Sequence, residues 1–202
     1  MPCAAARRLR TPFDRNASLI MKFIQPRHDP WHSLDGEDGP PVSINARPNL
    51  LLDLPQWHAV RAHWPQGLAV GVAVANDQDV EDIVADLDRL ALIALHFPKW
   101  TDGRAYSQAR LLRSRYRFKS EIRATGEVVA DMLPLLQRTG FDSVVLRADQ
   151  SVEVAERALG FFRGHYQGDV QQGRPLFGLP PGAAAALARQ AEPEFVNEGA
   201  SI

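Results

Sequence analysis

Four short, almost uninterrupted apolar runs, separated by stretches of helical period, constrain the fold of this chain more than any other feature. They are LAVGVAVAN (68–76), LALIALHF (90–97), EIRAT (121–125) and DSVVLR (142–147). A compact run of this kind marks a strand buried on both faces. After the first comes DQDVEDIVADLDRL, where Asp77 and Asp79 offer caps and acids fill the first turn. Its Val80, Ile83, Val84 and Leu87 fall at i, i+3, i+4 and i+7, which predicts a helix. A second helix is expected near residues 104–118, with Ala105, Ala109, Leu112 and Tyr116 as its apolar stripe. A third covers 127–138 and ends at Gly140, a C′ glycine; Pro134 inside it predicts a kinked or short helix. The fourth, SVEVAERALGFF, is capped by Ser151 and buries Val152, Ala155, Leu159 and Phe162.

Strands alternating with helices mean βαβ units, a mainly parallel sheet and right-handed crossovers. The expectation is an α/β domain over residues 50–168 built from four βα units. An open doubly wound sheet and a half-barrel-like curl both fit. Ahead of the runs, Trp57, Val60, Arg61 and Trp64 predict a short helix that stops at 65–67. Residues 1–49, rich in Pro, Gly and acids toward their end, read as an irregular or disordered arm, and 169–202 as a tail. The first twenty residues have arginines but no apolar segment of a secretory signal, and Met21 is the expected true start.

A formal net charge of −1 over 202 residues argues against a general nucleic-acid binder, so any basic patch is local. No apolar run approaches the ~18 residues of a membrane span. The one cysteine, Cys3, excludes an internal disulfide framework, a CxxC redox pair and a self-held iron–sulfur cluster, and a cytoplasmic setting is expected. No GxGxxG, GxxxxGK[ST] or GxSxG pattern occurs, so no cofactor is predicted. His28 with His32, and His58 with His63, lack convincing ligand geometry, and no metal is predicted; His96 is the histidine best placed for acid–base work.

Against that neutral background stands FPKWTDGRAYSQARLLRSRYRF (97–118), with five arginines, one lysine and one acid. In a parallel sheet all strand-to-helix loops leave from one edge, where α/β proteins bind ligands. That rim would gather Asn76, Asp77, His96, Lys99, Trp100, Thr101, Asp102, Gly103, Arg104, Arg123, Thr125, Arg147 and Asp149, with Ser107 in the helix that follows. A helix N-terminus there favours an anion, and Arg104 could hold one bidentately. Asp102-Gly103-Arg104 reads equally well as a turn with an N-cap. Further along, Tyr106, Arg110, Arg113 and Arg117 are expected on one outward face, which fits either an acidic protein partner or a solvated helix face.

At FPKWTDGRAYSQARLLR, at EIRATGEVVADMLPLLQRTGFDSVVLRADQ and at GRPLF (173–177) the sequence resembles a bacterial family, domain of unknown function 934, labelled probable oxidoreductases of sulfite reduction. The resemblance runs from about residue 68 to 166, and its motif carries Phe97, Pro98, Lys99, Trp100, Thr101, Asp102, Gly103, Arg104, Tyr106, Ser107, Ala109, Arg110, Leu112 and Arg113. Pro134 and Thr139 depart from it; Thr139 stands where many members carry a cysteine. The resemblance implies a role in assimilatory sulfite reduction, with sulfite reductase or other sulfate-assimilation proteins as partners. Reducing sulfite takes six electrons, and this chain carries no motif for a centre that could deliver them. An accessory protein that binds a small oxyanion, an acidic partner, or both is therefore the leading expectation. An oxidoreductase using a partner-supplied or unrecognised cofactor, and another enzyme acting on a small anion, are the alternatives.

Overall fold

A computed structural model describes residues 21–34, 44–161, 167–170, 173–180 and 182. The expectations for residues 1–20, for Phe162 and for the chain after 182 lie outside them. The strands are β1 (Lys22–Phe23), β2 (His32–Ser33), β3 (Leu50–Asp53), β4 (Val70–Val74), β5 (Leu90–Phe97), β6 (Glu121–Gly126) and β7 (Ser143–Val144). They form one sheet in the order β1-β7-β6-β5-β4-β3-β2, with every pair parallel. The four central βα units of the expected α/β fold are present. Three more strands come from upstream, two of them within the segment expected to be irregular.

The sheet is a half-barrel, and chain length shows why it must curl. Six strand spacings of about 4.8 Å would put the edges of a flat sheet roughly 29 Å apart. The edge strands β1 and β2 are joined only by residues 24–31, and Pro26–His28 within that link form a 3-10 turn. Such a link reaches roughly 26 Å at full stretch. Curling brings the two edges within its reach.

Neighbours in sequence are neighbours in the sheet from β2 to β7, so right-handed crossovers place every helix on one face. The register row Leu52, Val72, Ile93 and Ile122 lies on that outer face and is fully buried. It packs with Ala105, Ala109 and Leu112 of α2 (Arg104–Ser114) and with Leu133 and Leu136 of α3 (Leu133–Thr139). The concave face is different. Its rows are Leu51, Gly71, Leu92 and Glu121, then Ala73, Ala94, Arg123 and Ser143. Closed barrel interiors are filled mainly by bulky branched residues, whereas these rows are largely small or polar.

α1 (Leu54–Val60) begins with a capping box between Asp53 and Gln56. The segment Val80–Arg89 is capped by Asp79 as expected, but it is a 3-10 helix rather than an α-helix. It leads straight into β5 at Leu90 without a loop. A 3-10 helix covers roughly 20 Å in ten residues, against roughly 15 Å for an α-helix. Its Asp86 is buried because the carboxylate accepts Trp57 Nε1 at 3.0 Å and Arg61 Nη1 at 3.1 Å.

Pro134 goes with a short α3, which begins at Leu133 rather than at 127, and not with a kink. It sits in the first turn, where a missing N–H costs nothing, after a single 3-10 turn at Ala130–Met132. Gly140 ends α3 in the left-handed region at φ 102°. α4 (Val152–Phe161) is anchored by Ser151 Oγ, which accepts Val154 N at 3.3 Å. No described helix is long and apolar enough to cross a membrane.

Candidate functional site

The C-terminal ends of the parallel strands form the rim, and the β5–α2 loop is its most basic part. Lys99 O accepts Asp102 N at 3.0 Å, which closes a tight turn. Asp102 is then the hub of the loop. Its Oδ2 accepts Asn76 Nδ2 at 2.7 Å and Arg104 Nη2 at 2.8 Å; its Oδ1 accepts Arg104 Nε at 3.1 Å and Arg104 N at 3.2 Å. The carboxylate therefore ties the end of β4 to the start of α2, while Gln108 Nε2 adds bonds to Ala75 O and Gln78 O. The side-chain bond from Arg104 is the main reason Asp102 is held down to about 2.

Because the folded value lies below the ordinary carboxylate value, near ~4, this clasp contributes above that pH and is lost as pH falls toward 2. The Asp102 carboxyl carbon, followed by NMR, is expected to titrate near pH 2 in the native protein. In Arg104→Gln it should move up toward the ordinary range; an unchanged midpoint would mean that Arg104 does not hold the carboxylate.

Three of the expected rim cations, Arg104, Arg123 and Arg147, meet acids. Arg147 Nε and Nη2 donate to Asp149 at 2.6 and 2.7 Å, and Nη1 donates to Glu127 at 3.0 Å. Arg123 is not on the rim: it lies mid-strand in β6, 2% exposed, with Nη1 on Asp29 Oδ2 at 2.6 Å and Nη2 on Glu121 Oε1 at 2.9 Å.

The expected outward face of α2 needs three corrections. Arg113 points inward, its side chain 9% exposed, donating to the carbonyls of Phe118, Ser120 and Gly140 and to the Asp142 carboxylate. Tyr106 packs edge-on against Phe97 at 5.1 Å and Phe141 at 6.5 Å, and burial pushes its hydroxyl up to about 12. Arg117 lies past the helix end, at φ 56°, so helical spacing from Arg110 does not apply to it. Tyr116 also lies beyond the helix and donates to Glu81 at 2.5 Å.

The exposed stripe of α2 is Gly103, Ser107, Arg110 and Ser114, with Arg104 beside it. Lys99, Trp100 and Thr101 are exposed just ahead, and the Trp100 indole is 60% exposed. Neither the Lys99 ammonium nor the Arg110 guanidinium meets a carboxylate among the described residues. The described residues hold no cluster of three or more potential metal-binding His, Cys, Asp or Glu side chains.

His96 is the inward-facing, exposed residue near the end of β5, in register with Thr125. Its ring lies so close to Gly126 that a Cβ there would be 2.7 Å from Cε1. Sequence reasoning missed Asp29, Glu121 and Ser143 as partners of Arg123. The polar alternation Glu121, Arg123, Thr125 within EIRAT was the available signal, since a strand buried between two apolar layers would not show it.

A singly wound parallel α/β half-barrel with a basic loop at the C-terminal ends of its strands is thus the class the coordinates define. The chain belongs to the bacterial family of unknown function DUF934, whose pattern matches residues 71–177, just over half its length. The matched stretch holds nearly all of β4, all of β5 to β7, and α2 to α4. No curated protein matches the chain.

Proposed function

We propose that the protein is an accessory of assimilatory sulfite reduction that docks an acidic protein partner through Lys99, Trp100 and Arg110. The observation that carries the docking is the exposed Trp100 indole, next in sequence to exposed Lys99 and followed by exposed Arg110 on α2, two cations that no described carboxylate neutralises. Exposed tryptophan and arginine are the residue types that dominate binding energy at interfaces. The place in sulfite reduction rests on the family resemblance and on the chain's lack of a redox-cofactor motif. Capture of a small oxyanion at the same rim has less support, because Arg104 and Arg147 already hold carboxylates.

One lysine, one arginine and one indole make a small footprint, so the contact should be modest in affinity and sensitive to salt. Co-purification from the native host, with absorbance spectra taken on the complex, tests the reading. The expected result is sulfite reductase in the eluate, lost in Trp100→Ala and in high salt. A chromophore bound to this chain without any partner would instead favour a catalytic oxidoreductase.

A further inference from the structure

The segment 24–34 does more than join the two edges of the sheet. Beyond β1, Ile24 N still bonds Val144 O at 2.8 Å, and the chain then turns through Pro26–His28 and crosses the concave face to reach β2. Two contacts fasten it there. The Trp31 ring lies over Gly71, where a Cβ would come within 3.1 Å of Trp31 Cζ3 and of Leu51 Cδ1. Asp29 Oδ2 accepts Arg123 Nη1 at 2.6 Å, while Asp29 Oδ1 turns back to accept Trp31 N at 3.1 Å.

The Trp31 contact is an apolar pin on this strap. The second pin is chemically different. Arg123 is 2% exposed, and burying an ion is costly unless partners replace its water. Glu121 takes Nε and Nη2 at 3.1 and 2.9 Å, and Ser143 fixes Glu121 by donating to the same oxygen at 2.6 Å. That leaves Nη1 pointing at the strap, and the group it meets is a carboxylate on the link between two strands rather than on a strand. A guanidinium held rigid by β6 and β7, presenting one edge to a carboxylate, is the geometry of an oxyanion receptor.

We propose that the concave face contains a gated anion site, in which Asp29 occupies on Arg123 the place of a compact carboxylate or oxyanion that displaces it. A ligand of this class takes over the Nη1 bond, and the link from residue 25 to 31 lifts with Trp31, while Ile24 and β2 stay bonded to the sheet. Trp31 and Leu51 fill the space over Gly71, so a ligand's place opens only as the strap lifts, and the small side chains of Ala73 and Ala94 in the adjoining row suit a compact ligand. This site uses none of Lys99, Trp100 or Arg110, so it stands or falls independently of partner docking.

The test measures binding of acetate, inorganic phosphate and sulfite to the full chain by calorimetry at constant ionic strength. Asp29→Ala removes the internal competitor, so at least one of the three anions should bind it tenfold or more tightly than it binds the native protein. Which anion gains most distinguishes a carboxylate ligand from an inorganic one. The gain should vanish in Asp29→Ala/Arg123→Met. In the native protein the same anion at saturation should raise amide hydrogen exchange across residues 25–31 and leave the β5–β6 pairing unchanged. Equal affinity of native protein and Asp29→Ala for all three anions would overturn the proposal. So would a gain that survives loss of Arg123, or native exchange in 25–31 that ignores the anion.

Discussion

Replacing Arg113 with methionine is expected to lower stability by about 3–5 kcal/mol, the cost of stripping one partner from a buried charge pair. The side chain lies 9% exposed where the end of α2, the loop after it and the α3–β7 turn converge. It donates to Phe118 O at 2.7 Å, Ser120 O at 2.8 Å and Gly140 O at 2.9 Å, as well as to the Asp142 carboxylate. Its charge also lies over the Phe118 ring at 5.7 Å. Methionine keeps the stem and removes every donor, leaving three carbonyls and a carboxylate without them. Lysine should restore little, because one ammonium cannot reach the positions that a planar fork spans.

Burial holds Asp142 above the ordinary carboxylate value even with Arg113 present. A carboxyl whose folded value is raised favours the fold when protonated, and that contribution is lost as pH rises through the folded value. The Arg113→Met defect should therefore shrink in acid, as Asp142 takes up a proton instead of remaining an unpaired anion. Urea midpoints at neutral and acidic pH measure both effects. A loss below about 1 kcal/mol, the range of an exposed pair, would show that Arg113 belongs to the surface after all.

Gly126→Ala is expected to cost about 3 kcal/mol. The residue sits at φ 91°, which an L side chain rarely adopts, and a Cβ would lie 2.4 Å from the carbonyl oxygen of Phe97. That oxygen cannot easily yield, since it accepts Glu127 N at 2.8 Å. The same Cβ would push on His96 Cε1 and Nδ1, so the His96 ring resonances should shift along with the lower midpoint. Gly160→Ala, in open space on α4, is the control and should be neutral or slightly stabilising.

The central fold was legible because burial on both faces writes itself as an apolar run. β4 and β5 were read that way, and β6 and β7 came from shorter runs. β1 and β2 could not be read, since two-residue strands flanked by Pro26 and Pro30 carry no period. Their place is set by pairing with β7 and β3, which is a tertiary fact. The 3-10 geometry of Val80–Arg89 was equally hidden, because its apolar spacing fits an α-helix.

Apart from Arg123, the loops of the rim were placed correctly, Asp102 and Asp149 among them, but the pairing of these acids with Arg104 and Arg147 was not read. Asp102 and Asp149 stand two residues from Arg104 and Arg147, in loops where no helical or strand period decides which way a side chain turns. Asp142 stands 29 residues from Arg113 and Asp29 stands 94 from Arg123, separations at which sequence pattern carries no pairing information. The helix end at Ser114 explains the misplacement of Arg117. Arg115 continues αR, and the chain then swings through φ 56° at Arg117 to bring buried Phe118 under Arg113.

The most direct test of the docking surface is calorimetric titration of purified sulfite reductase from the same host into this protein and into Lys99→Ala/Trp100→Ala/Arg110→Ala. The account predicts binding by the native chain that weakens at least tenfold between about 50 and 300 mM salt, as screening shortens the reach of the charges. It also predicts a loss of more than tenfold in the triple variant, which should remain as stable as the native protein because none of the three side chains is buried. Equal affinity for the native chain and the variant, or no binding by either at low salt, would contradict it.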